Sequence, residues 1–220
     1  MAADVDLHTP GEGETVIFVD LAGFTALTEA HGDQHAADLA DALTDLARTA
    51  LSDGDQLVKS IGDAVLLTSA TPRAAVHLVT TMVRDSHRNQ DFLDLRAGLH
   101  HGPVIHRRGD VFGATVNVAA RVAGMATAGQ VLCTPDIADD ARACGIAVFD
   151  LGLTSMRNVA APVHLFALDV ASPRTGLVDP VCRMRVRPEN AIGTLRHAGA
   201  TYAFCSLRCA GLFAQNPDRY

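Results

Sequence analysis

Hydrophobic residues fall along this chain in blocks whose period changes from one stretch to the next. Val16-Ile17-Phe18-Val19 is a continuous apolar run and predicts a buried strand. Leu39, Leu43, Leu46 and Ala50 return every three or four positions, so an amphipathic helix is expected over 35–51, broken by Asp53-Gly54. Leu57-Val58 and Ala64-Val65-Leu66-Leu67 flank Ser60–Asp63, the pattern of a tight hairpin. Thr71-Pro72 reads as a helix start, threonine as cap and proline in the first turn, with Val76, Val79 and Val83 facing inward. Leu93, Leu95, Ala97 and Leu99 alternate as a strand, and Gly102-Pro103 turns it into another over Val104–His106. Helical spacing returns at Val118, Val122 and Met125. Val131–Cys133 is a short strand, Thr134-Pro135 opens a helix, and Ile146–Phe149 and Val163–Leu168 close the series as strands.

The order is strand, helix, hairpin, helix, then more strands. Consecutive strands within it predict an α+β sandwich, an antiparallel sheet with helices, rather than a strictly parallel sheet. A ferredoxin-like β-α-β-β-α-β core accommodates it. Residues 1–13 are polar and carry Pro10, Gly11 and Gly13, a flexible lead; 14–170 form the main domain. Residues 171–176 read as a linker, and the composition changes after them: 177–220 hold three cysteines and several arginines in a short, compact end.

Charge narrows the partners. A net charge of −7 argues against nucleic acid. No apolar stretch approaches the roughly 20 residues that span a bilayer, and the start has neither the basic nor the apolar part of a signal peptide. A soluble cytoplasmic protein is expected, with no membrane partner. Five cysteines, an odd number without an export signal, do not suggest a disulfide framework.

Two aspartates carry the first chemical signal. Asp20 closes the Val16–Val19 run, and Asp63 follows Gly62 in the hairpin. A carboxylate at the edge of a buried strand is costly unless its charge is compensated. Mg²⁺ is such a compensator, held by one or two carboxylates plus substrate phosphates. Taken singly, Asp20 reads equally as a helix cap and Asp63 as a turn residue. Asn117 and Arg121 lie four apart on a predicted helix and so share a face, apart from Val118, Val122 and Met125.

Three stretches then fall into one pattern: Phe18-Val19-Asp20-Leu21-Ala22-Gly23-Phe24-Thr25, Lys59-Ser60-Ile61-Gly62-Asp63-Ala64, and Asp110-Val111-Phe112-Gly113 running on to Arg121. In order and spacing, residues 15–168 resemble the catalytic domain of class III nucleotidyl cyclases. The resemblance implies conversion of ATP to 3′,5′-cyclic AMP and pyrophosphate with two Mg²⁺ or Mn²⁺ ions per site. It assigns Asp20 and Asp63 to the metals, Asn117 to the ribose and Arg121 to charge developing on the phosphate, a role that suits a planar guanidinium. Lys59 and Asp110 would read the base. A lysine donor and a carboxylate acceptor fit the N1 and N6 edge of adenine and mispair with guanine. Where many members carry Leu-Lys-Gly before the last strand, this chain has Met156-Arg157-Asn158; Arg157 keeps a charge for the triphosphate, whereas Asn158 lacks the freedom of glycine. In the family, the metal aspartates and the base-, ribose- and phosphate-binding residues of one site come from two chains, so a head-to-tail homodimer with two equivalent sites is expected.

Residues 177–220 resemble a YHS domain through Asp179-Pro180-Val181-Cys182-Arg183-Met184, Tyr202–Cys209, and Asn216 to Tyr220, with Arg183 where a glycine is usual. About 44 residues is little for a core of its own, so a metal staple makes physical sense. Cys182, Cys205 and Cys209 offer three thiolates for zinc or another soft ion and leave a fourth ligand open. His197 is a candidate for it, though a surface position explains it as simply. Rival readings are a guanylate cyclase, a catalytically silent cyclase-like signalling module, and a metal-handling protein dominated by its C-terminal end.

Overall fold

The computed structural model describes residues 13–89, 92–170 and 177–220. Its first half follows the periodicities closely. The apolar run becomes β1 (Glu14–Leu21) and is followed by α1 (Phe24–His31) and α2 (Asp33–Ala50). The hairpin is β2 (Asp55–Ile61) and β3 (Ala64–Ser69), turned at Gly62 and Asp63. Next come α3 (Pro72–Ser86) and β4 (Leu95–Gly102). As expected, Thr71 caps α3: its hydroxyl accepts the Ala74 N–H at 3.2 Å, and Pro72 occupies the first turn. The series continues with β5 (Ile105–Arg107), β6 (Asp110–Phe112), α4 (Ala114–Met125), β7 (Val131–Cys133), α5 (Pro135–Ala143), β8 (Val148–Thr154) and β9 (Val163–Leu168).

Seven strands form one sheet in the order β2-β3-β1-β4-β7-β9-β8. Each of the first four is antiparallel to its neighbours, and together they reproduce the ferredoxin-like core. β7, β9 and β8 extend it beyond β4. β4 and β7 run parallel, so the sheet is mixed rather than wholly antiparallel; a long connection containing α4 makes that crossover possible. Three sequence expectations shift. The strand after Pro103 is β5, which pairs with β6 in a separate ribbon. The strand expected at Ile146 begins at Val148, runs on to Thr154, and bulges between Asp150 and Gly152. Met125 ends α4 exposed rather than inward; Val122 is buried as expected, together with Ala119 and Ala123.

Alternation along β1 sorts the two faces of the sheet. Ile17, Val19 and Leu21 join the main core with residues of α1, α2, α3 and α5. Val16 and Phe18 pack with Leu66, Val111 and Ala119 beneath α4. Asp20 is in step with Val16 and Phe18 and so belongs to the α4 face. That helix lies unusually close: a Cβ at Gly98 of β4 would stand 2.0 Å from the Ala123 nitrogen, so only glycine permits the approach.

The C-terminal unit pairs β10 (Leu177–Val178) with β11 (Arg185–Val186), forms a hairpin from β12 (Gly193–His197) and β13 (Ala200–Phe204), and ends on α6 (Leu207–Gln215). Its buried residues Val181, Cys182, Met184, Phe204, Cys209 and Phe213 are continuous with the main core. The expected lead over 1–13, Gly13 apart, and the linker over 171–176 lie outside the described residues.

Candidate functional site

Asp20 is the next-to-last residue of β1, opposite Ala64 of β3 and Arg96 of β4. Its Oδ2 accepts a hydrogen bond from Arg96 Nη2 at 2.6 Å, while its Oδ1 is buried with no hydrogen-bond partner among the described residues. The Leu21 N–H donates to the Asp63 carbonyl at 3.1 Å, which ties the β2–β3 turn to the end of β1. Burial raises the Asp20 carboxyl above its ordinary value; Arg96 opposes the shift and the charge of Asp63 adds to it. A carboxylate with one orphaned buried oxygen, beside a second carboxylate, is a donor set that fits a hard divalent cation: the charge it lacks is the charge such an ion brings.

The residues that the sequence singled out for the base do meet. Lys59 Nζ, on β2, donates to Asp110 Oδ2, at the start of β6, at 2.6 Å. This contact holds the Asp110 carboxyl below its ordinary value. Asn117 and Arg121 lie on the exposed side of α4, and their side chains make no hydrogen bond or ion pair among the described residues. They point away from the sheet and therefore away from the face that carries Asp20 in the same chain. Arg157 is likewise exposed. Asn158 adopts φ 64°, the left-handed region that asparagine tolerates better than most residues, so it keeps the backbone turn a glycine would make.

The three C-terminal cysteines converge. Cys182 Sγ lies 3.5 Å from Cys205 Sγ, which lies 3.8 Å from Cys209 Sγ. The geometry is set by two polar anchors. The buried Asp179 carboxylate accepts the N–H groups of Val181 at 2.8 Å and of Cys205 at 2.9 Å, joining the two cysteine-bearing segments. Ser206 caps α6 by accepting the Cys209 N–H at 3.1 Å. Contacts from Cys182 and Cys205 hold the Cys209 thiol far below its ordinary value, while the Cys182 thiol is pushed up by Cys205 and Cys209. His197 is not part of the group: its ring faces Asp218 at 3.4 Å and meets Phe213 edge-on. The imidazole that is present belongs to His31, the last residue of α1, whose Nε2 lies 3.6 Å from both Cys205 Sγ and Cys209 Sγ.

Sequence reading missed Arg96, Asp179 and His31. Arg96 had a signal, a charge alternating with Leu95 and Ala97 along a strand. Asp179 was visible only as part of a motif. His31 had none, because it stands 174 positions from Cys205 and nothing in spacing relates them.

Comparison with known proteins agrees with this architecture. A family model described as the adenylate and guanylate cyclase catalytic domain matches residues 9–168, and a YHS domain model matches 177–220. The chain is 36% identical over 166 residues to a protein of Mycobacterium tuberculosis named pH-sensitive adenylate cyclase, covering 74% of this chain and 42% of that one. It is 34% identical over 124 residues to a Streptomyces coelicolor adenylate cyclase, covering 56% and 32% respectively. The chain thus spans less than half the length of these relatives. Among solved structures, a Trypanosoma brucei adenylate cyclase in its monomeric state superposes with a TM-score of 0.66 at 25% identity, covering 78% of this chain and 95% of that one.

Proposed function

This chain belongs to the adenylate and guanylate cyclase catalytic-domain family, and on that premise we propose that it is an adenylate cyclase that forms 3′,5′-cyclic AMP and pyrophosphate from ATP. The observation that carries the reading is the half-buried Asp20, with one unpartnered oxygen, beside the Asp63 turn. In the reaction the ribose 3′-oxygen forms a bond to the α-phosphorus, the bond from that phosphorus to the bridging oxygen of the β-phosphate breaks, and the 3′-hydroxyl proton leaves to solvent. Two Mg²⁺ or Mn²⁺ ions, when bound, would lower the charge on the attacking and departing oxygens. Asp20 and Asp63 would hold them.

The chain's own residues supply recognition and orientation. Lys59 and Asp110, already within hydrogen-bond reach of each other, present a donor beside an acceptor, the complement of the adenine edge. Guanine would leave both mispaired, and a buried mispaired group costs about 1–3 kcal/mol. Asn117 would orient the ribose, Arg121 would meet the charge that builds on the α-phosphate, and Arg157 would grip the triphosphate. Since Asn117 and Arg121 project from the outer side of α4, they serve a site completed by a second copy. Exposed Ile61, Ile105, Phe112 and Phe149 provide apolar surface for such a pairing. We read the C-terminal unit as the part that responds to metal or redox state. None of the five cysteines is in a disulfide, and we assign the protein to the cytoplasm.

The test is cyclic nucleotide production by the purified chain, ATP against GTP, with Mn²⁺ and with Mg²⁺. Cyclic AMP formed from ATP is expected, and the double variant Lys59→Glu, Asp110→Ser should shift turnover toward GTP by roughly tenfold or more. Product from neither nucleotide would favour a silent signalling module. Preference for GTP in the unaltered chain would make it a guanylate cyclase.

A further inference from the structure

The two parts of the molecule meet at a cluster of side chains that the nucleotide chemistry does not use. Three thiol sulfurs and one imidazole nitrogen lie within 4.8 Å of one another. Cys182 and Cys209 are fully buried, and Cys205 and His31 are partly covered. Around a zinc ion with bonds of about 2.3 Å to sulfur and about 2.0–2.1 Å to nitrogen, tetrahedral angles would separate sulfurs by about 3.8 Å and set nitrogen about 3.6 Å from sulfur. The sulfurs stand 3.5 and 3.8 Å apart along Cys182, Cys205 and Cys209, and His31 Nε2 stands 3.6 Å from two of them. A disulfide needs sulfurs at about 2.05 Å and has no use for an imidazole set evenly between two thiols.

We propose that His31, Cys182, Cys205 and Cys209 form a closed, four-ligand site for a thiophilic tetrahedral cation, zinc(II) first among them, and that this ion bolts the C-terminal unit to helix α1 of the catalytic domain. The proposal deepens the reading of that unit as metal-responsive, and it rests on donor geometry alone rather than on the nucleotide chemistry. Three thiolates and one imidazole with no open position make a structural site. The second anchor is already built: Asp179 fixes the backbone of both cysteine-bearing segments before any ion arrives.

The consequence for the catalytic domain follows from where α1 begins and ends. The helix starts one turn after Asp20 and ends on the proposed ligand. At its start, a Cβ on Gly23 would lie 2.8 Å from Arg183 Cβ and Cγ, so Arg183 packs directly on that turn. Arg183 itself is held at φ 66°, where an L residue is strained. Beside it, Arg185 pairs with buried Asp94, whose carbonyl accepts the Ala22 N–H at 2.8 Å. The C-terminal unit therefore grips α1 at both ends, and at the far end the grip is the metal.

The experiment uses the full chain, purified in reductant, with metal content measured by elemental analysis and the site read with Co²⁺ in the absence of nucleotide. One tightly held metal per chain is expected, with Co²⁺ giving tetrahedral d–d bands and thiolate-to-metal charge transfer. The charge-transfer band separates this site from the Asp20–Asp63 pair, which has no sulfur, so loss of one reading leaves the other standing. His31→Ala should weaken binding by at least about 100-fold, and His31→Cys should restore it. Chelation should speed amide exchange across Phe24–His31 in the unaltered chain to the rate seen in His31→Ala. If His31→Ala misfolds, His31→Gln and Cys209→Ser read the same loss. A chain that takes up no metal, a Co²⁺ spectrum without charge transfer, or unaltered affinity in His31→Ala would overturn the proposal.

Discussion

At the scale of single residues, the decisive quantity is the cost of burying Asp20. Burial raises its carboxyl above the ordinary 3.8, so the folded chain holds that proton more firmly than the unfolded one. The sign follows: the stability this group contributes is present below 3.8 and is lost as pH rises through the raised value, because the charged form is the one the fold disfavours. A bound cation reverses the balance by pairing with the charge. Thermal melts with and without Mn²⁺ should therefore show a stabilisation by metal that grows as pH climbs through the window above 3.8. Asp20→Asn should show no such growth and should lose cyclase activity at least about a thousandfold, the several kcal/mol a metal ion supplies. Equal stabilisation of the variant by Mn²⁺ would place the ion elsewhere. Two other residues show how a side chain can stand in for glycine. Asn158 and Arg183 both occupy the left-handed region, at φ 64° and φ 66°. Asparagine does so at little cost, whereas arginine carries strain of roughly 1–2 kcal/mol that its packing on Gly23 and the docked C-terminal unit must offset.

At the scale of elements, the strand and helix periods were readable wherever burial was one-sided or complete. The apolar run of β1, the cap of α3 and the alternation of β4 needed nothing beyond the chain itself. Helix α1 was missed. It has only eight residues, buries just Leu27 and Ala30, and contains two threonines, so its period is too weak to stand out. Its ends are set by Gly23 and Gly32, both at positive φ, and by packing that lies far away in sequence. The contact between α4 and β4 is a second tertiary decision. A methyl group at Gly98 would strike the backbone of Ala123, which cannot move without shifting the helix that carries Asn117 and Arg121. Gly98→Ala should cost about 3 kcal/mol and lower the melting temperature by roughly 6–12 °C for a domain of this size. Calorimetry that finds the variant as stable as the original would mean that α4 can slide freely over the sheet.

At the scale of the whole molecule, the site residues divide into two groups facing different ways. Asp20 and Asp63 are joined at the end of β1, while Asn117 and Arg121 look outward from α4. In a head-to-tail dimer each site would draw one group from each copy. Asp20→Ala and Asn117→Ala chains should then each be nearly inactive alone. Mixed in equal amounts, they should recover about a quarter of the original activity, since half of the pairs are mixed and each holds one intact site. No recovery on mixing, with exchange of chains verified by mass spectrometry, would rule out a shared site.

Local patterns along the chain were enough for the α+β class, the ferredoxin-like order of its first strands, the family of each part and the choice of acidic, basic and thiol groups as candidates. These are properties of local spacing: residue types repeating at the period of a strand or helix, or standing at fixed intervals in a motif. The folded arrangement was needed to show that Asp20 keeps one oxygen unpartnered among the described residues, that Lys59 and Asp110 touch, and that the imidazole beside the thiol cluster is that of His31 rather than His197. The physical reason is the same each time. Burial and approach depend on which distant segments the sheet and its helices bring to one point, and no local pattern encodes a contact across 174 positions.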